Sequence, residues 1–152
     1  MSQRKFFNYS TGFSLIELMA AVIIVGILSA IAIPSYQAHV RSANRAQAQA
    51  GLIQLAAAIE QFKTRNPLNS YAGATLTAEN NNIFPSFISS DGITPLYNLT
   101  LSNLGRNTYT LVAAPVANAD FSFSLSDTGL KQRCPGICAA GAAGWVNGWN
   151  VP

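Results

Sequence analysis

Glu17 is the first residue whose chemistry needs an explanation, because it is a carboxylate at the head of an apolar run that continues to Ile33. A carboxylate in lipid costs several kcal/mol unless a partner compensates its charge. Such an acid is a functional group by default, and its partner has to be identified. Without a partner, the side chain would snorkel to the lipid headgroups or stay protonated.

Cys134 and Cys138 are the second pair with chemistry of their own, and they enclose only Pro135-Gly136-Ile137. In an exported domain a disulfide is expected, because the compartment beyond the inner membrane is oxidising. A three-residue gap also resembles half of a metal site. Zinc would need two further ligands, however, and His39 is the only histidine. We therefore expect a disulfide and no metal.

The remaining polar residues do not form a catalytic pattern. The sequence has no Ser/His/Asp order typical of a triad and no phosphate-binding loop. Asp91, Asp120 and Asp127 lie where turns favour aspartate. We therefore expect no enzyme, no catalytic residue and no cofactor.

Composition limits the chain to one modest domain and one membrane segment, since 49% of its 152 residues are hydrophobic and only 10% are charged. The net charge of +3 includes Arg4 and Lys5, which precede Gly12. After Gly12 seven basic and six acidic side chains remain, so the overall charge gives little reason to expect nucleic-acid binding. Outside the predicted helix, the candidates for a basic patch are Arg106, Lys131 and Arg133.

The apolar run from Phe13 to Ile33 has 21 residues, and about 20 are needed to cross a bilayer. Arg4 and Lys5 before it indicate that the N-terminal end stays in the cytoplasm. One alternative is a secretory signal cut after Ala30-Ile31-Ala32, but Glu17 and the helical sequence beyond the run argue against it. An uncleaved anchor needs only length and leaves the acid unexplained.

The N-terminal residues resemble a bacterial type IV pilin with a class III leader. The resemblance rests on the basic leader, on Gly12-Phe13-Ser14-Leu15-Ile16-Glu17-Leu18-Met19 and on the apolar continuation to Pro34-Ser35-Tyr36. Three later segments look most like minor pilins of the Gram-negative type IVa system: 41–48, 71–74 and 109–115.

The resemblance implies a partner for Glu17. In that family a prepilin peptidase cuts after the residue corresponding to Gly12 and N-methylates the new terminus, here Phe13. A subunit packed one step along a filament can then place its carboxylate near the Phe13 amine of a neighbour. Breaking such a pair should cost about 3–5 kcal/mol, so Glu17 would select the register of assembly.

Beyond the apolar run the helix should continue as an amphipathic segment from Tyr36 to Arg65 and stop at Asn66-Pro67. Pro34 should kink or locally melt the helix, and Gly26 is a second weak point. The resemblance suggests that the interval between them lets a long helix bend or stretch. The apolar stripe of the second half comprises Leu52, Leu55, Ala56, Ile59 and Phe62.

We predict an α+β fold in which a long N-terminal α-helix packs on a C-terminal antiparallel β-sheet. Its segments are a leader (1–12), a transmembrane and filament-core helix (13–35), an amphipathic helix half (36–65), a connecting loop (66–95), and the sheet with its Cys loop (96–152).

Three strands are predicted, at Leu96–Leu101, Thr108–Ala114 and Phe121–Ser126, and the last alternates as a strand with one buried face does. The apolar stripe of the helix should cover that face. Trp145 and Trp149 are expected to cap an edge of the core, with a surface contact as the alternative.

The leading hypothesis is a structural, minor pilin subunit that is stored in the inner membrane with its C-terminal domain in the periplasm and then enters an extracellular pilus. The resemblance implies other pilin subunits, the prepilin peptidase, the inner-membrane assembly machinery and membrane lipid as partners. Adhesion, twitching motility and DNA uptake follow from resemblance alone. The alternatives are a type II secretion pseudopilin and a pilus-surface DNA receptor.

Overall fold

A computed structural model of the chain describes residues 12–66, 68, 70–76, 83–117 and 120–151. The leader residues Met1–Thr11 and Pro67 of the expected helix stop therefore lie outside the described residues. The chain divides into two compact units, Met1–His39 and Val40–Pro152, and each is described by itself.

Helix α1 runs from Leu15 to Arg65 and crosses the boundary between the units. It begins where the Ser14 carbonyl accepts hydrogen bonds from the backbone N–H groups of Glu17 and Leu18, at 3.1 and 3.2 Å. A carboxylate in the first turn also complements the positive end of the helix dipole. The residues around Ser14 thus provide an ordinary helix start.

The helix is continuous through Gly26 and Pro34, so the structure shows no local melting at the proline. Pro34 removes one backbone donor, but the helical turns on both sides of it are formed. Whether the interval between these two residues bends during assembly stays a prediction.

The first half of α1 is the part that could cross a membrane. An 18-residue stretch near its N-terminal end is long and apolar enough for this by length and composition. Large hydrophobic side chains from Phe13 to Ile33 are between 52 and 80% exposed. The first half therefore presents apolar side chains that its own unit does not cover.

The second unit contains one antiparallel sheet whose strands are ordered as in the sequence. Its six strands are β1 Phe87–Ile88, β2 Tyr97–Ser102, β3 Thr110–Pro115, β4 Phe121–Ser126, β5 Lys131–Pro135 and β6 Val146–Asn147. The three predicted strands correspond to β2, β3 and β4, which confirms the predicted α+β fold with a helix on an antiparallel sheet. Strands β1, β5 and β6 were not predicted from the sequence.

The sheet packs on the second half of α1 as expected. Leu52, Leu55 and Ile59 are fully buried in one cluster with Leu111 and Phe123 of the sheet. Hydrophobic burial of this kind is the main favourable term in folding, at about 25 cal/mol per Å² of apolar surface. The predicted contact between this helix stripe and the sheet is thus confirmed.

The outer face of β4 differs from the expectation of one buried and one exposed face. Ser122 and Ser124 are also buried, at 0 and 4% exposure. The Ser122 hydroxyl donates to the Gly136 carbonyl at 2.6 Å and accepts from the Cys138 backbone N–H at 3.0 Å. The residues after β5 therefore fold over the outer side of β4, and small hydroxyl side chains make room for them.

Candidate functional site

The residues expected to direct processing lie at the start of α1. Gly12, Phe13 and Ser14 precede the first helical residue, and Glu17 lies in the first turn. Phe13 and Glu17 are both exposed. This placement suits an accessible cleavage point and an assembly contact, which remain proposals.

Arg45, Asp120 and Tyr97 form a polar cluster between the helix and the sheet. The Arg45 Nε donates to the Asp120 Oδ1 at 2.6 Å, and the Tyr97 hydroxyl donates to the Oδ2 of the same carboxylate at 2.9 Å. The backbone N–H of Phe121 also donates to Asp120 Oδ1, at 2.8 Å. The Arg45 guanidinium lies 5.2 Å from the centroid of the Phe121 ring.

This cluster is largely buried, since the side chains of Arg45 and Asp120 are 22 and 14% exposed. Burial, with the hydrogen bond to Asp120, raises the pKa of the Tyr97 hydroxyl, which therefore stays a donor at neutral pH. Asp120 was expected only as a turn residue, and no partner was predicted for Arg45. No local pattern could have revealed a contact across 75 positions of sequence.

The end of α1 meets the loop between β2 and β3. Lys63 Nζ donates to Asn107 Oδ1 at 3.0 Å and lies 4.6 Å from the centroid of the Tyr71 ring. The Tyr71 hydroxyl donates to Glu60 Oε1 at 2.7 Å, and burial together with this bond raises its pKa. Arg65 and Arg106 are exposed nearby, in the last helical turn and in the loop.

Cys134 and Cys138 form a disulfide, with Cα atoms 6.2 Å apart, which confirms the expected bond. Cys134 is buried, whereas Ile137 within the ring is 56% exposed. The indole N–H of Trp145 donates to the Ala139 carbonyl at 3.0 Å. The ring is therefore held by the disulfide, by the two hydrogen bonds of Ser122 and by the residues that follow it.

Trp149 caps an edge of the core, as predicted, whereas Trp145 is not among the described residues that pack against the core. The Trp149 indole N–H donates to the Ser124 carbonyl at 3.0 Å, and its ring meets the Phe123 ring edge-on at 6.5 Å. Lys131 Nζ lies 4.8 Å from the centroid of the same indole, and an Arg133 guanidinium N–H donates to the Gly148 carbonyl at 3.2 Å. The two basic residues of β5 are thus positioned by the C-terminal segment.

Strand β5 carries two basic residues, and the nearest acid before it in the sequence is Asp127, in the turn from β4. Lys131 and Arg133 lie in a stretch, from Thr128 to Pro152, whose sequence contains no acidic residue. At the end of α1, in contrast, Glu60 and Asp127 lie among the basic residues, and both raise the pKa of buried Tyr109 after the larger effect of burial. Strand β5 thus presents two basic residues, of which Lys131 is exposed.

Asp91 is a structural acid. Its carboxylate accepts the backbone N–H groups of Thr94 and Ile93 at 2.7 and 2.9 Å and the Thr94 hydroxyl at 2.8 Å. These bonds lower its pKa from 3.8 to about 2. In the described residues, no group of three or more His, Cys, Asp or Glu side chains lies together in a way that could hold a metal ion.

Two protein-family models match the chain. One, described as "Type IV minor pilin ComP, DNA uptake sequence receptor", matches residues 34–135. The other, described as "Prokaryotic N-terminal methylation motif", matches residues 7–33. No solved structure matches the chain.

Replacing Arg45 with Met should lower the free energy of unfolding by about 2–4 kcal/mol, because Asp120 would lose its cation while staying largely buried. Arg41→Met, one helical turn earlier on an exposed surface, is the matched control and should change it by no more than about 0.5 kcal/mol. Urea denaturation of a soluble fragment that begins at Tyr36 measures both. Equal effects of the two substitutions would contradict a stabilising role of the ion pair.

Proposed function

Because the chain belongs to the family described as type IV minor pilin ComP, DNA uptake sequence receptor, we propose that it is a pilus subunit that binds DNA for uptake. The match over residues 34–135 carries this proposal, since it covers most of the second unit. Pilins are structural proteins, so the function lies in assembly and binding. The same match favours a pilus over a type II secretion pseudopilus.

We propose that the newly made subunit is first held in the inner membrane. The methylation motif over residues 7–33 supports cleavage after Gly12 and methylation of Phe13 by a prepilin peptidase. The apolar first half of α1 would then hold the subunit in lipid, with its second unit in the periplasm, until the assembly machinery adds it to a filament. Glu17 would select the register by pairing with the Phe13 amine of a neighbouring pilin subunit.

The proposed DNA contact lies on β5, where Lys131 and Arg133 belong to a stretch without acids. Cations that neutralise phosphates supply most of the sequence-independent affinity for DNA. Lys131 is exposed, and its contact with the Trp149 ring is a weak one that a phosphate can replace. Arg133 can offer guanidinium N–H groups to phosphate oxygens while one of them stays on Gly148.

Gly12→Leu should leave an uncut precursor in the inner membrane, because a bulky side chain would not fit where the proposed peptidase requires glycine. Mass spectrometry of the N-terminus measures this, with the nearby change Ser14→Ala as the control. A precursor shortened as in the wild type would contradict the cleavage point.

Glu17→Ala should still insert in the membrane, since it removes an acid from an apolar segment, yet enter filaments at least about tenfold less well. Ser29→Ala, farther along the same apolar run, is the control. The measurement compares the subunit in sheared filaments with that in membranes. Unchanged incorporation into filaments would contradict a role of Glu17 in selecting the register of assembly.

Replacing Lys131 and Arg133 together with Gln should weaken DNA binding roughly 10- to 100-fold at low salt and reduce the slope of log affinity against log salt by about 1–2. Replacing exposed Arg41 and Arg65 with Gln removes the same net charge and is the matched control. Fluorescence anisotropy of a labelled duplex across a salt series measures both. Equal losses in the two variants would show that net charge alone attracts DNA and would contradict a site on β5.

A further inference from the structure

A groove with a volume of about 400 Å³ lies between helix α1 and the segment that contains β1. Its helical side is formed by Gln47, Ala50, Gly51 and Gln54, and its other side includes Phe87 and Ile88. The four helix positions have the i, i+3, i+4, i+7 spacing of a single helix face over two turns. The groove thus follows the helix.

Small residues give this groove its shape. Ala50 and Gly51 stand in the middle of the helical side, so neither fills the space with a long side chain. A Cβ atom at Gly51 would collide with the Ile88 side chain, so the glycine lets that side chain lie close against the helix. The groove is therefore formed by the fold itself.

The lining of the groove is uncharged and largely apolar, with Gln47, Gln54 and Ser89 as its polar members. None of its described lining residues carries a formal charge. Ile53, beside the helical wall, is 51% exposed, and Ile93, next to the lining residue Gly92, is 82% exposed. Exposed apolar surface of this kind marks a site of protein contact in a soluble domain.

Nucleic acid does not suit this surface, because phosphate binding needs cations and the described lining has none. The apolar first half of α1, in a second copy of the chain, does suit the groove. The first half of α1 has no charged residue from Leu18 to Ser35, and its large hydrophobic side chains are more than half exposed. Lipid covers them in the membrane, but in a filament outside the membrane apolar protein surface has to replace lipid.

We propose that the groove receives apolar side chains from the N-terminal helix of a second pilin subunit, an inference that rests on the proposed pilin function. The groove lining and the apolar run of α1 both lack formal charges, so contact between them would desolvate no charge of either. The contact joins different surfaces of two copies. Such a heterologous contact repeats along an open helical filament, as pilus assembly requires.

The test places a small photo-reactive diazirine amino acid at position 50, inside the groove, in the full chain expressed in cells that assemble pili. Position 57 is the matched control, because Ala57 is also an exposed alanine on α1 but does not line the groove. After irradiation of sheared filaments, mass spectrometry identifies the cross-linked peptides. At least about ten times more cross-linking to residues 13–33 of a pilin subunit is expected from position 50 than from position 57.

Three outcomes overturn the inference: cross-links from position 50 to another segment, equal yields from both positions, or none from position 50 although the subunit is in filaments. If the unsubstituted chain were absent from filaments, the proposed pilin function would be wrong. The proposed role of the groove would then be wrong as well. As an independent measurement, Ala50→Trp should fill the groove and reduce incorporation about tenfold. Ala57→Trp, the control, should change incorporation into filaments by no more than about twofold.

Discussion

The burial of one helix stripe against the sheet is the interaction on which the rest of the second unit depends. Leu52, Leu55 and Ile59 are fully buried with Leu111 and Phe123. The sheet has no other helix among the described elements to cover its inner face. The same helix continues without a break to Leu15.

Polar contacts fix the position of the helix along the sheet. Hydrophobic burial is non-directional, and a helix stripe could slide by a turn at modest cost. Arg45 bonded to Asp120, Gln49 bonded to the Trp149 carbonyl and Lys63 bonded to Asn107 lie at successive positions along the helix. A slide of one turn would break all three at once, and the first would leave a largely buried carboxylate without its cation.

The sequence predicted the parts of the fold that have a local pattern. Periodicity located the helix, its buried stripe and the strands β2 to β4, and the expectation of an oxidising compartment led to the prediction of the disulfide. Strands β1 and β6 have two residues each, too few for any alternation, and β5 begins with Lys131-Gln132-Arg133, which reads as exposed loop. The pair of Arg45 with Asp120, the groove and the burial of Ser122 and Ser124 arise from tertiary contacts, which one sequence cannot display.

The order of strands bears on whether assembly and DNA binding are compatible. The groove lies beside β1, at one edge of the sheet, and the basic pair lies on β5, next to the opposite edge. Four strand spacings of about 4.8 Å separate them, or roughly 19 Å. The groove proposed for a neighbouring subunit and the basic pair proposed for DNA therefore do not compete for the same residues. A subunit whose groove is filled could still present Lys131 and Arg133 to DNA.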